Sequence, residues 1–142
     1  MIGVLVVSHS VFSKGLLESG DMIFGNHSNC FSLGLTDTGV FEFEQAVKAK
    51  LDSLFKSYNQ VIVLCDLKGG TPYNQVLKYK LENNKQNMII VTGFNLPMFA
   101  ELVVSLPDED DAVKLADKII QTAKCSIESD SLKKEENDDL FD

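Results

Sequence analysis

Arginine is absent from the sequence, so all 13 basic residues are lysines, and 21 acidic residues bring the formal net charge to −8 at pH 7. Binding to a nucleic acid generally needs a clustered positive surface that neutralises backbone phosphates. The charge of this chain therefore argues against a nucleic-acid partner.

Cysteine is also scarce. Cys30, Cys65 and Cys125 are odd in number, lie far apart and include no CxxC pair. A zinc site or a redox pair built from cysteines is therefore not expected, and the three thiols are predicted to be free and mostly buried. The sequence has neither a nucleotide-binding P-loop nor a cluster of metal ligands, so we expect no metal and no cofactor.

Long apolar runs and a targeting signal are missing as well. The longest apolar runs fall far below the ~18 residues that a transmembrane helix requires. No basic stretch precedes the apolar N-terminus MIGVLVV, and no small-residue cleavage site follows it. This segment is therefore predicted to be a core strand, and the protein is expected in the cytoplasm.

What is present is an alternation of four short apolar runs with segments of helical period. The 142 residues fit one compact domain. The apolar runs are nearly continuous in Val, Ile and Leu, which is typical of strands covered on both faces. This order predicts an α/β fold, a three-layer sandwich around a mainly parallel four-stranded sheet. The predicted strands cover residues 2–7, 30–35, 60–66 and 87–92, and the predicted helices cover 11–24, 41–57, 72–84, 95–106 and 108–124.

The composition changes near the end of the chain. Residues 126–142, SIESDSLKKEENDDLFD, are polar and acidic. Segments of this kind bury too little apolar surface to fold by themselves. We therefore predict a domain over residues 1–125 followed by an acidic, mobile tail.

The predicted sheet indicates where chemistry would take place. Open parallel sheets bind ligands beyond the carboxyl ends of their strands, where the strand order reverses. In a flavodoxin-like order of 2-1-3-4 this crevice lies between the first and third strands, whose ends carry His9 and Asp66. A carboxylate bonded to one imidazole nitrogen fixes the tautomer and leaves the other nitrogen as a nucleophile. We therefore predict that Asp66 orients His9.

The segment after Asp66 predicts a phosphate site. Gly69 and Gly70 allow a close approach of the backbone, and Thr71, as the expected N-cap, begins a helix whose N–H groups and dipole attract an anion. A second helix begins after Ser10 and points into the same crevice. Gly69, Gly70, Thr71 and Ser10 are therefore predicted to bind a phosphoryl group on or near His9.

Three motifs together resemble one known family, the enzyme IIA (EIIA) domain of the mannose-type phosphoenolpyruvate-dependent sugar phosphotransferase system (PTS). The first is a strand that ends in a histidine, VLVVSHS. The second is DLKGGTPYN, which fits the pattern D-x-x-G-G-[ST]-P-x-N, and the third is GFNLPM, which fits G-x-N-[IL]-P-M. The resemblance covers roughly residues 1–125.

The resemblance implies a phosphocarrier. The histidine matching His9 accepts a phosphoryl group from phospho-HPr on its tele nitrogen and passes it to a histidine of EIIB, here expected on a separate polypeptide. From there the phosphate reaches the sugar during transport through the membrane components EIIC and EIID. Asp66 matches the orienting aspartate of the family, and Thr71 with the amides around Gly70 matches the region that receives the phosphate.

The resemblance also implies protein partners and a dimer. Another protein's histidine must reach His9, so the docking surface is expected to be shallow and partly apolar. Family members are typically homodimers that exchange a C-terminal strand, for which residues 125–128 are the candidate here. The residues predicted to line the docking surface are Phe12, Pro72, Tyr73, Leu96, Pro97, Met98 and Phe99.

Three alternatives remain at this stage. The phosphotransfer subunit of dihydroxyacetone kinase has a related domain, but it carries a different sequence in place of GGTP and lacks the GFNLPM match. A regulatory module would use phosphorylation of His9 as a signal to a partner. A hydrolase would use Ser8 or Ser10 with His9 and Asp66, although the sequence has no G-x-S-x-G elbow.

Overall fold

A parallel sheet organises the chain, and the computed structural model describes residues 1–131. Strands and helices alternate regularly along the sequence until the last two helices, which follow one another. A short 3-10 turn, Leu106–Asp108, separates those two helices. The strands are β1 (Ile2–His9), β2 (Cys30–Leu35), β3 (Gln60–Cys65) and β4 (Met88–Thr92), and the helices are α1 (Phe12–Phe24), α2 (Val40–Ser57), α3 (Thr71–Glu82), α4 (Leu96–Ser105) and α5 (Ala112–Cys125).

The four strands are all parallel, and their order in the sheet is β2-β1-β3-β4. The predicted α/β class and strand order are confirmed. β1 and β3 lie at the centre, where Val7 is level with Cys65. The order reverses between these two strands, so their carboxyl ends form the crevice expected at such a point.

Helices cover both faces of the sheet, which makes three layers. Alternate residues of a strand point to opposite faces. On one face, Val4 and Val6 pack into a core shared with α1, α4 and α5. On the other face, Leu5 and Val7 pack into a core shared with α2 and α3. All four of these valine and leucine side chains are fully buried, which explains why the sequence of β1 is continuously apolar.

Several element bounds differ from the predicted ones by one or two residues. β1 continues through His9, because its backbone still pairs with Leu35 of β2. Thr71 was predicted to be the N-cap of α3 and is instead its first helical residue, while Gly70 takes the cap position. The largest difference is at α5, which begins at Ala112, four residues later than predicted, because Asp111 caps it with a carboxylate that accepts from the amides of Val113 and Lys114.

The end of the described chain bears on two predictions. Cys125 belongs to α5, and residues 126–131 contain no strand within this single chain, so the exchanged strand stays a prediction. Most of the predicted acidic tail, residues 132–142, lies outside the described residues. In the part that the structure describes, none of the helices combines the length and the apolar character needed to cross a membrane.

Candidate active site

His9 and Asp66 meet at the carboxyl ends of the two central strands. The Nδ1 atom of His9 lies 2.9 Å from Oδ2 of Asp66, and the backbone N–H of His9 donates to the same oxygen at 2.9 Å. The His9 side chain is 48% exposed, whereas that of Asp66 is only 9% exposed. The carboxylate is therefore held by the protein, and the imidazole is left open to an incoming molecule.

The pair of hydrogen bonds fixes the chemistry of the ring. An ionised carboxylate can only accept, so Nδ1 of His9 must carry the proton that it shares with Asp66. The remaining nitrogen, Nε2, then has a free lone pair. The second carboxylate oxygen of Asp66, Oδ1, is buried and has no hydrogen-bond partner among residues 1–131, so both bonds from His9 converge on Oδ2.

The turn after β3 brings the start of α3 against the imidazole. A Cβ atom built on Gly70 would lie 2.9 Å from Cε1 and 3.5 Å from Nε2 of His9, so a side chain there would press on the ring. Gly69 has a φ of +83°, a conformation that glycine adopts easily, and its carbonyl accepts from the side-chain amide of Asn74 at 3.2 Å. The sequence prediction that Gly69 and Gly70 permit close approach is consistent with this geometry.

The first turn of α3 supplies donors beside His9. The amide of Gly70 is taken by the carbonyl of Leu67, and that of Asn74 by the carbonyl of Gly70. Pro72 has no N–H, and the amides of Thr71 and Tyr73 have no backbone acceptor among residues 1–131, so they are the available donors of this helix end. Helix N-termini carry a partial positive charge that favours anions.

The serines around His9 have structural partners. Ser8 is fully buried, and its hydroxyl accepts from the amide of Ser13 at 2.7 Å, which caps α1. Ser10 is exposed, but its amide donates to the carbonyl of Leu35 at 2.7 Å and cannot serve a phosphate. Only the Ser10 hydroxyl remains for the predicted phosphate contact. Among residues 1–131 neither serine hydroxyl makes a hydrogen bond to His9, whose Nδ1 is bonded to Asp66, and this argues against the hydrolase hypothesis.

The residues predicted to form a docking surface separate into two groups. Phe12, at 55% exposure, stacks on the ring of Phe94 with the centroids 4.7 Å apart, and Leu96 and Pro97 are at least partly exposed. Tyr73 is half-buried against the α2–α3 core. Three predicted residues are corrected, because Pro72, Met98 and Phe99 are buried in the protein interior and are not available to a partner.

An apolar groove of about 450 Å³ lies between α1 and the start of α4. Phe12 forms one wall, three residues from His9. Sequence reasoning did not predict two further apolar side chains at this end of the sheet, Val11 and Leu67, which are 69% and 59% exposed. The other lining residues of the groove are Gly15, Leu16, Ser19, Phe94, Asn95 and Leu96.

Sequence reasoning assigned no role to Gly34 of β2, whose backbone lies against the carbonyl of Ser10, or to Asn74 of α3. Gly34 was passed over, although an isolated glycine within a strand commonly marks a close approach of another backbone. Asn74 is the last residue of DLKGGTPYN, and its side-chain amide donates to the carbonyl of Gly69, which links α3 to the glycine turn. Lys68, which lies between Asp66 and the glycines, is exposed to solvent.

Cys65, next to Asp66, is a core residue rather than a site residue. Burial, and secondarily the negative charge of Asp66, raises the pKa of its thiol to about 12. Burial and the charge of Asp21 likewise raise the pKa of Cys30 to about 12. Because the thiolate is the reactive form, both thiols should be far less reactive at pH 8 than an exposed cysteine.

The exposure of Cys125, compared with the raised pKa of Cys30 and Cys65, predicts how the three thiols react. In native protein at pH 8 we expect one thiol per chain to react quickly with Ellman's reagent, namely the exposed Cys125, and all three to react after unfolding in urea. Cys125→Ser should remove the fast phase and leave the other two thiols slow to react until the protein unfolds. A second fast thiol in the native protein would contradict the burial of Cys30 or Cys65.

Comparison with known proteins agrees with the fold and with the motifs. Residues 3–121 match the model of the EIIA-man family, described as "PTS system fructose IIA component". A Bacillus subtilis (strain 168) protein named "PTS system fructose-specific EIIA component" is 30% identical over 104 residues, which are 72% of this chain and 69% of that protein.

Two solved structures of IIA proteins are similar to this chain over most of their length. The PTS IIA protein associated with the fucose utilization operon of Streptococcus pneumoniae is 34% identical, with a TM-score of 0.80 over 90% of this chain and 92% of that one. The mannose/sorbose specific IIA subunit from Enterococcus faecalis is 25% identical, with a TM-score of 0.76 over 93% and 96% of the two chains. With a family match that spans most of the chain, this protein belongs to the EIIA-man family of phosphotransferase-system IIA components.

Proposed function

We propose that this PTS component is a phosphocarrier that accepts a phosphoryl group on Nε2 of His9 and passes it to a histidine of an EIIB protein. The observation that carries the proposal is the arrangement of the imidazole. Asp66 binds its Nδ1 at 2.9 Å, while the Nε2 side faces Gly70 at the start of α3. A nucleophilic nitrogen and an anion-attracting helix end therefore stand next to each other.

The transfer itself needs few groups. The lone pair of Nε2 attacks the phosphorus of a phosphohistidine on the donor, the old P–N bond breaks, and its electron pair stays on the donor's imidazole nitrogen. The proton on Nδ1 of His9 stays in the hydrogen bond to Asp66. Because one P–N bond replaces another, the step is nearly balanced in energy and depends on in-line placement and stabilisation of charge.

Two elements of the site support that stabilisation. The carboxylate of Asp66 balances the positive charge that the ring gains when Nε2 is phosphorylated. The free amides of Thr71 and Tyr73, with the hydroxyls of Thr71 and Ser10, are the candidate donors to the phosphoryl oxygens. Gly69 and Gly70 keep this region free of side chains that would occupy the space of the phosphate.

The donor would be phospho-HPr, and the membrane components EIIC and EIID would receive the phosphate only indirectly, through EIIB. Donor and acceptor must each bring a histidine to the same Nε2 atom, so they would use one surface in turn. The exposed apolar side chains of Val11, Phe12 and Leu67 next to His9 suit such a surface, and the groove beside Phe12 extends it.

We further propose a cytoplasmic homodimer, in keeping with the family resemblance.

The test is reconstitution of the transfer chain. The protein is incubated with phosphoenolpyruvate, enzyme I and HPr, and the phosphate is located by peptide mapping and by ¹⁵N spectra of the histidine rings. We expect one phosphate per chain, labile in acid and stable in base, bonded to Nε2 of His9, and lost when EIIB is added. No uptake, or uptake on another residue, would contradict the proposal.

A further inference from the structure

The chain leaves β1 through an unusual backbone conformation. Ser10, which follows His9, has a φ of +52°, and Asn84 is the only other non-glycine residue among those described with a positive φ. L-residues with a side chain seldom adopt this left-handed conformation. Something in the surroundings must therefore hold Ser10 in place.

The neighbouring edge strand β2 provides that support. The amide of Ser10 donates to the carbonyl of Leu35 at 2.7 Å. The carbonyl of Ser10 lies against the backbone of Gly34, where a Cβ atom would be only 1.9 Å from the oxygen. The turn at Ser10 can keep its present position only if residue 34 has no side chain.

A buried pair of serines supports the same turn from the side of α1. The hydroxyl of Ser8 lies 3.5 Å from the carbonyl oxygen of Ser10, to which it donates, and it accepts from the amide of Ser13 at 2.7 Å. The hydroxyl of Ser13 in turn donates to the carbonyl of Leu33 at 3.0 Å. The Ser10 peptide is thus fixed by contacts from β2 and from the first turn of α1.

The position of the turn determines the position of the imidazole. His9 is held on one side by its hydrogen bonds to Asp66 and on the other by the peptide that joins it to Ser10. A methyl group at residue 34 would push the Ser10 carbonyl outward by about 1 Å, and a displacement of that size can slow an in-line reaction about 10²-fold.

We propose that Gly34 is a positioning residue for phosphoryl transfer, which acts on His9 through the carbonyl of Ser10, with the Ser8 hydroxyl as a second support of that carbonyl. The proposal rests on the proposed function of His9 and deepens it. Gly34 has no side chain and lies against the Ser10 carbonyl, so its effect should reach His9 through the backbone and fall on the rate of transfer rather than on the binding of the donor.

The test compares Gly34→Ala with Gly20→Ala. In the control, the new Cβ would lie 2.2 Å from the ring of Phe99, a severe contact within the core that α1 and α4 share, away from His9. Both variants should unfold at lower urea concentration than the wild type. At saturating phospho-HPr, measured by rapid quench and corrected for the folded fraction, Gly34→Ala should lower kcat about 10²-fold with KM within about twofold. Gly20→Ala should leave both unchanged.

A second readout does not depend on turnover. In ¹⁵N spectra of the unphosphorylated protein, the ring signals of His9 report whether Nδ1 holds its proton against Asp66. Gly34→Ala should shift these signals, whereas Gly20→Ala should not. The proposal is overturned if folded Gly34→Ala keeps wild-type kcat and ring signals, or if Gly20→Ala slows transfer as much as Gly34→Ala does.

If Gly34→Ala does not fold, the variant Ser8→Ala tests the proposal instead, because the Ser8 hydroxyl donates to the same Ser10 carbonyl. Removal of this hydroxyl should lower kcat about tenfold and shift the His9 ring signals away from those of the wild type, and wild-type values for both would overturn the proposal. Failure of the proposed function gives a different result, because the wild-type protein would then take up no phosphate while the ring signals of the variants would still report on the position of His9.

Discussion

His9→Ala is expected to abolish phosphoryl uptake from phospho-HPr, with the signal falling to that of a reaction without the protein. Alanine offers no nitrogen to the phosphorus, and no other imidazole of the chain lies at this end of the sheet. The measurement is ³²P incorporation after gel filtration at neutral pH. Because water can enter the half-exposed space, the free energy of unfolding should fall by only about 1 kcal/mol.

The second histidine of the chain provides the matched control. His27 lies beside a cavity at the amino ends of the strands, together with Met1 and Asn29. His9 lies at the carboxyl ends, so the two histidines are at opposite ends of the sheet. His27→Ala should take up one phosphate per chain at the wild-type rate. Labelling of His9→Ala to the wild-type level would show that His9 is not the acceptor, whatever the result for His27→Ala.

Asp66→Ala is expected to slow transfer by about 10²- to 10⁴-fold while the protein stays folded. The variant loses both hydrogen bonds that orient the His9 ring and its backbone, and it also loses the charge that balances a phosphorylated ring. Single-turnover kinetics with phospho-HPr measure the effect, and circular dichroism checks the fold. Unchanged kinetics would remove Asp66 from the mechanism.

Asp66→Asn separates the two roles of Asp66, which are to orient the His9 ring and to supply a negative charge beside it. The oxygen that replaces Oδ2 must accept from the backbone N–H of His9, so the amide nitrogen should take the buried position of Oδ1. The same oxygen can then still accept from Nδ1, and the tautomer of His9 should be kept. The loss should be about tenfold, which corresponds to exchanging a charge-assisted hydrogen bond for a neutral one. A loss equal to that of Asp66→Ala would mean that the charge, and not the orientation, dominates.

The corrected docking residues illustrate a limit of sequence reasoning. Met98 and Phe99 directly follow the run GFNLP, and nothing in their residue types distinguishes a surface contact from a core contact. Phe99 fills the space beside Gly20 of α1, a contact across 79 positions of sequence that only packing creates. Phe12 is apolar as well, but it lies on the open side of α1 and is exposed.

The sequence alone determined the alternation of strands and helices and with it the α/β class, because continuous apolar runs identify buried parallel strands. The pairing of His9 with Asp66 was predicted from a flavodoxin-like strand order, in which the carboxyl ends of the two central strands meet at one crevice. The structure has this strand order. The three-motif resemblance identified the family from the same residues.

Only the tertiary structure decided which atoms hold His9 in place. The contact of Gly34 with the carbonyl of Ser10 joins residues 24 positions apart, and neither residue carries a chemical group that marks the contact in the sequence. Likewise, the distance between Gly70 and the imidazole determines how much space is left beside Nε2. Such distances depend on the packing of strands and helices that are remote in sequence, and packing at the scale of one ångström is not encoded in the local pattern of residue types.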